Sequence, residues 1–157
     1  MWKNASVFWL LVAFGVDDAY GRIVPDGRAW RIWTKTSNKE HAGTNADVHI
    51  ILIDPDGGES PPLFLDNILR NDFQQNSVDQ FSVYDQVNLK DVCAIRIYRD
   101  NSGSSPDWFL EKVWMIAAEM INDRVFNVKS WVPTEQEERD SYYEVQRTPP
   151  CSAGPLP

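Results

Sequence analysis

The sequence predicts an all-β fold, an antiparallel β-sandwich. Roughly seven or eight short segments alternate apolar and polar residues, which is the pattern of strands that bury one face. Clusters of Gly, Pro, Asn, Asp and Ser separate these segments and favour turns. The chain has 157 residues, a length that suits one domain. Many short strands with regular turns in one domain are typical of a sandwich.

The candidate strands are justified by their patterns in chain order. The run from Val48 to Ile53 is apolar on both faces, so it is expected inside a sheet. A helix over 111–120 would set Glu111 and Glu119 on one face among apolar residues, so a strand is favoured there. The candidate strands are Trp30 to Lys35, Val48 to Ile53, Leu63 to Leu65, Phe81 to Tyr84, Val92 to Arg99, Trp108 to Ala118, Met120 to Ile121 and Arg124 to Val132.

The two ends of the chain differ from this body, which spans 22–133. Residues 1–21 are predicted to be a signal peptide, because a basic start precedes an apolar run, Ala5 to Val16, and small residues follow. That run is shorter than the roughly 20 residues of a membrane-spanning helix. We therefore expect a secreted, extracellular protein with no transmembrane segment in the mature chain. Residues 134–157, acidic and then Pro-rich, are predicted to be a disordered tail.

The net charge limits the classes of partner that the surface can attract. The formal net charge is −8, so the surface repels nucleic acid and offers no general attraction for anionic lipid. Lipid contact would need local aromatic side chains or a bridging cation.

Cys93 lies in an apolar strand pattern and Cys151 in a Pro-rich segment. An extracellular disulfide is one interpretation, and a buried free thiol at Cys93 is the favoured one.

Four sequence blocks follow one another along about a hundred residues. The blocks are Ala42-Gly43-Thr44-Asn45-Ala46-Asp47-Val48; Asn71-Asp72-Phe73 with Val78-Asp79-Gln80-Phe81-Ser82-Val83; Ile95-Arg96-Ile97, Asp100 and Trp108 to Val113; and Phe126 with Trp131. Together they resemble one known family, the PLAT domain (polycystin, lipoxygenase, alpha-toxin), also called the lipoxygenase homology domain. The resemblance implies a sandwich of two four-stranded sheets that binds lipid or protein.

The resemblance also implies a calcium site in the loops at one end. Its ligands would be main-chain oxygens around His41 and Gly43 and side-chain oxygens of Asn45, Asn71, Asp72 and Gln74. Asn45 and Gln74 stand where the family often has acids, and calcium affinity falls as carboxylates are lost. We expect a weak site, in the ~10⁻⁴–10⁻³ M class, or none. The alternative is that Asn71 and Asp72 cap a turn.

Two tryptophans are candidates for contact with a membrane or partner. Trp108 follows the loop 101–106 and is expected at the binding end. Trp33 should face away from the core if Trp30 and Ile32 face it, because side chains alternate along a strand.

The residue inventory argues against an enzyme. His41 and His49 are the only histidines, and the sequence lacks a Gly-x-Ser-x-Gly elbow, a zinc-binding histidine pair and a phosphate-binding Gly-Lys-Ser/Thr loop. The predicted function is a secreted binding module that associates with lipid or membrane surfaces or with a protein partner, with calcium as an aid. The alternative is a protein-docking accessory domain that binds neither calcium nor lipid.

Overall fold

The computed structural model describes residues 15–17, 23–25, 27–141 and 144–151. The predicted signal peptide, apart from 15–17, lies outside these residues. The elements are β1 Gly15–Asp17, β2 Ile23–Pro25, β3 Ala29–Thr36, β4 Val48–Ile53, β5 Leu63–Leu65, β6 Val78–Tyr84, β7 Ala94–Arg99, β8 Phe109–Ala117, β9 Arg124–Trp131, α1 Glu135–Ser141 and β10 Val145–Thr148. Within the described ranges, no helix has the length and apolar content needed to cross a membrane.

Eight strands form the predicted antiparallel sandwich. The order is β5-β4-β7-β10-β9-β8-β3-β6, with β1 and β2 paired separately. β10 joins the two layers: Val145 pairs with Ile95 of β7, whereas Arg147 pairs with Phe126 of β9. One layer is therefore β5-β4-β7-β10 and the other is β6-β3-β8-β9. The segment in which a strand was favoured over a helix is β8, between β3 and β9.

The core fills the space between the layers and follows the period-two pattern of the strands. In β3, Trp30 and Ile32 are buried, and in β4 Val48, Ile50 and Leu52 are fully buried. β4 lies between β5 and β7, as its run of apolar residues predicted. The alternation leaves the other side of each strand on the outside of the sandwich.

The predicted disordered tail is wrong over the described part of 134–151. Thr134 and Glu137 form a capping box that begins α1: Glu137 N donates to Thr134 Oγ1 at 3.3 Å, and Thr134 N donates to Glu137 Oε2 at 2.8 Å. β10 follows and closes the sandwich, with Val145 buried. The domain therefore extends beyond the predicted limit at 133. Residues 152–157 lie outside the described residues.

The favoured interpretation of Cys93 as a free thiol is also wrong. Cys93 and Cys151 form a disulfide, with Cα atoms 5.5 Å apart. The pairing follows from the ordered end of the chain, because β10 runs beside β7 and carries residue 151 back to residue 93. The Arg147 guanidinium also reaches Asp91 at 2.9 Å, next to this disulfide in sequence.

Candidate functional site

Three loops, 37–47, 66–77 and 100–108, meet at one end of the sandwich, which we call the loop end. The first two touch directly. Thr44 N donates to Phe73 O at 3.2 Å. A Cβ atom on Gly43 would lie 2.8 Å from Gln75 N and 3.0 Å from Phe73 O, so only glycine allows this approach. The two sequence motifs are therefore neighbours in space.

The third loop is fastened to the first through Asn45 and Thr44. Asn45 Oδ1 accepts a hydrogen bond from Ser105 N at 3.2 Å, and Thr44 Oγ1 donates to Pro106 O at 2.7 Å. Burial alone would raise the pKa of the Asp100 carboxyl, but hydrogen bonds from Ser102 and from Asp47 N hold that pKa below its usual range. The side-chain oxygen of Asn45, a predicted calcium ligand, thus already accepts a hydrogen bond from the third loop.

Asp72 has a similar internal role. Its side chain is buried, and Oδ2 accepts from Asn67 N at 2.8 Å while Oδ1 accepts from Asn67 Nδ2 at 3.0 Å. Asn67 Nδ2 also donates to Gln80 O at 3.0 Å, which ties the loop to β6. Asp72 therefore clamps the ends of the segment 67–72, which agrees with the turn-capping alternative for this residue.

The predicted calcium ligands line two cavities at the loop end, and Asn45 borders both. A cavity of about 140 Å³, which we call the loop cavity, is lined by Asn45, Asn71 and Asp72. A separate cavity of about 250 Å³ is lined by His41, Gly43, Gln74 and again Asn45. The contact of Gly43 and Thr44 with the chain at Phe73 lies between the two groups. In addition, Gln74 Nε2 donates to Asp72 O at 3.1 Å; this bond is made by the amide nitrogen and not by Oε1, the atom that would bind calcium.

The loop cavity itself has donor chemistry that suits a hard cation. Asp47 and Asp66, both exposed, line it together with Asn71 and Asp72. Carboxylate and amide oxygens are the ligands that calcium takes in proteins. However, the described residues contain no group of three or more His, Cys, Asp or Glu side chains already placed for a metal, and Arg70 lines the same cavity. Sequence reasoning missed Asp66, although an acid next to the second motif was a visible signal.

The tip of the loop 66–77 carries two exposed aliphatic side chains. Ile68 is 85% exposed and Leu69 is 100% exposed. Arg70 N donates to Asn67 O at 3.0 Å, so the tip is a tight turn, and Leu69 has a φ of 67°. The Asp72 clamp holds the base of this turn. Sequence reasoning missed the pair, although two aliphatic residues between Asp-Asn and Arg in a loop could have indicated it.

Trp108 is not at the surface, so the prediction that it contacts a membrane or partner is wrong. It is fully buried, its Nε1 donates to Thr36 Oγ1 at 3.0 Å, and its ring centre lies 4.7 Å from that of Phe73. The residue closes the core beneath the loop end, because it precedes β8 on the inner side.

Trp33 faces outward from the sheet, as the alternation predicted. It is half-buried, and its ring stacks on Trp114 with centres 6.0 Å apart and planes 5° apart. A contact of Trp33 with a membrane or partner stays a prediction.

The family model of the PLAT/LH2 domain matches residues 30–145. The chain belongs to the PLAT/LH2 domain family. Polycystin-1 of Homo sapiens is 33% identical to this PLAT domain over 127 residues, covering 78% of the chain and 3% of the relative. The allene oxide synthase-lipoxygenase protein of Plexaura homomalla is 32% identical over 112 residues, covering 68% and 10%. The chain thus spans at most about a tenth of these curated relatives.

Solved structures show the same fold. The PLAT domain superposes on coral 8R-lipoxygenase with a TM-score of 0.64 and 25% identity, covering 76% of this chain and 17% of that one. Calcium activation of that enzyme is ascribed to a C2-like domain. The alpha toxin of Clostridium absonum matches with a TM-score of 0.56 and 20% identity, covering 70% and 30%. The family match reaches Val145, the first residue of β10, which agrees with a domain that includes this strand.

Proposed function

We propose that this PLAT domain is a non-catalytic module that attaches to a lipid surface through its loop end. The observation that carries the proposal is the clamped tip, where Ile68 and Leu69 stand 85% and 100% exposed. Exposed neighbouring aliphatic residues are a feature of surfaces that meet an apolar partner. Arg70, whose side chain is 63% exposed, follows them in sequence, and in this proposal it contacts lipid headgroups.

The apolar term of the tip is of the size that gives weak, reversible attachment. Burying one aliphatic side chain contributes about 1.5–3 kcal/mol, so the pair could contribute an upper bound of about 3–6 kcal/mol. The Asp72 clamp fixes the tip before binding, which reduces the ordering cost. The net charge of −8 opposes contact with anionic lipid. Insertion of the tip, rather than general electrostatic attraction, therefore has to hold the domain on the surface.

The histidines support the non-catalytic part of the proposal. The His41 side chain is 89% exposed and lies 3.4 Å from Glu40. The His49 ring lies in a row of aromatic rings on the outer face of β4, with ring centres 5.1 Å from Phe64 and 5.5 Å from Tyr98. A general base needs to lie within hydrogen-bond reach of a nucleophile or substrate, and this packing gives His49 a structural role.

The lipid proposal is tested by vesicle co-sedimentation. Changing both Ile68→Ser and Leu69→Ser should lower binding to phosphatidylcholine vesicles about tenfold or more, because the inserted apolar area is removed. Ile121→Ser is the matched control, since Ile121 is 94% exposed in the β8–β9 connection at the opposite end. Equal loss in the control, or unchanged binding in the double variant, would contradict the proposal and favour the protein-docking alternative.

Calcium would be held, in this proposal, at the loop cavity by Asp47, Asp66 and Asn71, beside the Asp72 clamp, where it would offset the local negative charge beside the tip. The expected signature is a rise in melting temperature at millimolar calcium that Asp66→Asn reduces. Asp56→Asn, an exposed carboxylate outside this cavity, is the control. If millimolar calcium does not shift the melting temperature, the calcium site is contradicted and tip insertion is the sole lipid contact.

A further inference from the structure

We propose that the outer face of the β6-β3-β8-β9 sheet binds an acidic segment of a protein partner. The face carries five basic side chains, Arg31, Lys35, Lys39, Lys112 and Lys129, which we call the basic face. Its position on the flank of the sandwich differs from the tip of the loop end. The inference is therefore independent of lipid attachment by Ile68 and Leu69.

The basic face stands out because, among the described residues, its five side chains lack a carboxylate partner. In the described part of the chain, every arginine and lysine outside the basic face lies close to a carboxylate, whereas the five on the face have no carboxylate partner. With a net charge of −8, the protein has more carboxylates than basic side chains. The grouping on one face of lysines and an arginine without carboxylate partners is therefore not explained by composition. The internal pairs are Arg28–Glu119, Arg70–Asp79, Lys90–Asp56, Arg96–Glu59, Arg99–Asp107, Arg124–Asp91, Arg139–Glu135 and Arg147–Asp91.

Strand register concentrates the positive charge. Arg31 and Lys35 share the outer side of β3, and Lys35 stands directly opposite Lys112 of β8. Like charges at directly opposed positions of neighbouring strands destabilise a sheet. Lys35 Nζ turns away to donate to Asn76 O and Oδ1, both at 2.7 Å. A bound carboxylate between these strands would relieve the repulsion.

A groove of about 560 Å³ runs beside this pair, with Lys39, Lys112 and Lys129 around it and Phe109 in its wall. Glu111 is the one carboxylate among the lining residues, so the positive charge remains in excess. The Lys39 Nζ lies 3.7 Å from the centre of the Phe109 ring. Next to it, Trp131 is 51% exposed and meets Phe109 edge-on, with centres 5.3 Å apart.

This combination fits an acidic peptide that also carries apolar side chains. Carboxylates neutralise the other lysines and arginines of the described chain, and lysine ammonium groups donate to carboxylates in varied geometries. Exposed aromatic side chains such as Trp131 are enriched at protein interfaces, and charged groups surround them at the rim. A groove can receive projecting side chains, whereas the flat surface of a bilayer would leave it unfilled.

The net negative charge of the protein does not prevent an acidic peptide from binding in the groove. Screening has a length of about 8 Å at physiological ionic strength, so distant carboxylates act weakly on a peptide in the groove. The charges that line the groove are those of Lys39, Lys112, Lys129 and Glu111, which leave a net positive charge there. Binding should weaken as salt increases, since these contacts are solvent-accessible.

The test uses a short synthetic peptide of alternating glutamate and phenylalanine, with fluorescence anisotropy of the labelled peptide as the readout. The double change Lys112→Glu and Lys129→Glu should weaken binding about tenfold. Lys90→Glu is the matched control, because Lys90 is an exposed lysine paired with Asp56 away from the face. Lys112→Glu alone should leave the melting temperature no lower, because it replaces a like-charge pair with an attractive one across from Lys35.

Each outcome decides the proposal. Equal binding of a peptide with glutamine in place of glutamate, or binding that survives the double change, would overturn it. If phosphatidylserine vesicles bind through Lys112 and Lys129 but the peptide does not, the face is a lipid site and the proposal is wrong. Peptide binding should persist when Ile68 and Leu69 are both changed to serine, which separates this inference from lipid attachment at the tip.

Discussion

At the scale of single residues, buried carboxylates of this acidic chain hold loops in place. Asp85 is fully buried and accepts hydrogen bonds from the main-chain N–H groups of Arg28, Asn88 and Leu89 and from Trp30 Nε1. Asp72 does the same for Asn67. A carboxylate that accepts main-chain bonds inside a loop has the same sequence context as a calcium ligand. The sequence motif therefore could not distinguish the two roles of Asp72.

Asp91 gives a prediction at this scale. Burial opposes its ionisation, but hydrogen bonds from Arg124, Val92 N and Arg147 outweigh burial and hold the pKa of the carboxyl below its usual value. A lowered pKa in the folded state stabilises the protein above the unfolded pKa of about 3.9, and this contribution is lost as pH falls through the folded value. Asp91→Asn should therefore cost about 1–3 kcal/mol at neutral pH and much less in acid.

Urea unfolding at several pH values measures this difference. Asp56→Asn is the control, since its exposed pair with Lys90 should contribute less than about 1 kcal/mol. A stability loss for Asp91→Asn that is equal at neutral and acid pH would contradict the assignment.

At the scale of elements, the end of the chain illustrates what local sequence does and does not show. The capping box of Thr134 and Glu137 that begins α1 is readable, because its spacing is a known helix start. β10 is not readable, since its four residues divide their pairing between β7 and β9. Those partners lie far away in sequence, so only the assembled sandwich makes a strand there.

The disulfide that follows β10 leads to a second prediction. Cys93→Ser with Cys151→Ser should lower the free energy of unfolding by about 2–4 kcal/mol, because a closed loop with a sequence separation of 58 is opened. Hydrogen exchange should increase mainly at the amides of β10, while β3 and β8 in the opposite layer stay protected. A uniform increase across both layers would show instead that β10 unfolds only with the whole domain.

At the scale of the whole molecule, the two proposed surfaces lie on different parts of the sandwich. The tip with Ile68 and Leu69 projects from the loop end, and the basic face occupies the outer flank of the β6-β3-β8-β9 layer. A domain attached to lipid by its tip would leave the groove beside Lys112 and Lys129 accessible. It could therefore bring an acidic partner to a lipid surface.

This arrangement predicts a three-component complex. Phosphatidylcholine vesicles coated with the domain should co-sediment the glutamate-phenylalanine peptide. The double change at Ile68 and Leu69 should remove both domain and peptide from the pellet, whereas the double change at Lys112 and Lys129 should remove the peptide alone. Displacement of the peptide when vesicles bind would contradict separate surfaces.

The sequence alone determined the family, the antiparallel sandwich, the interior position of β4 and the outward direction of Trp33, because period-two patterns and motif order are local properties. The tertiary structure decided what depends on packing and register across distant segments. Trp108 is buried because the loop end folds over it, and Cys93 meets Cys151 because β10 lies beside β7. The division of the predicted calcium ligands between two cavities, and the opposition of Lys35 to Lys112, are likewise set by contacts between chain segments that local patterns do not encode.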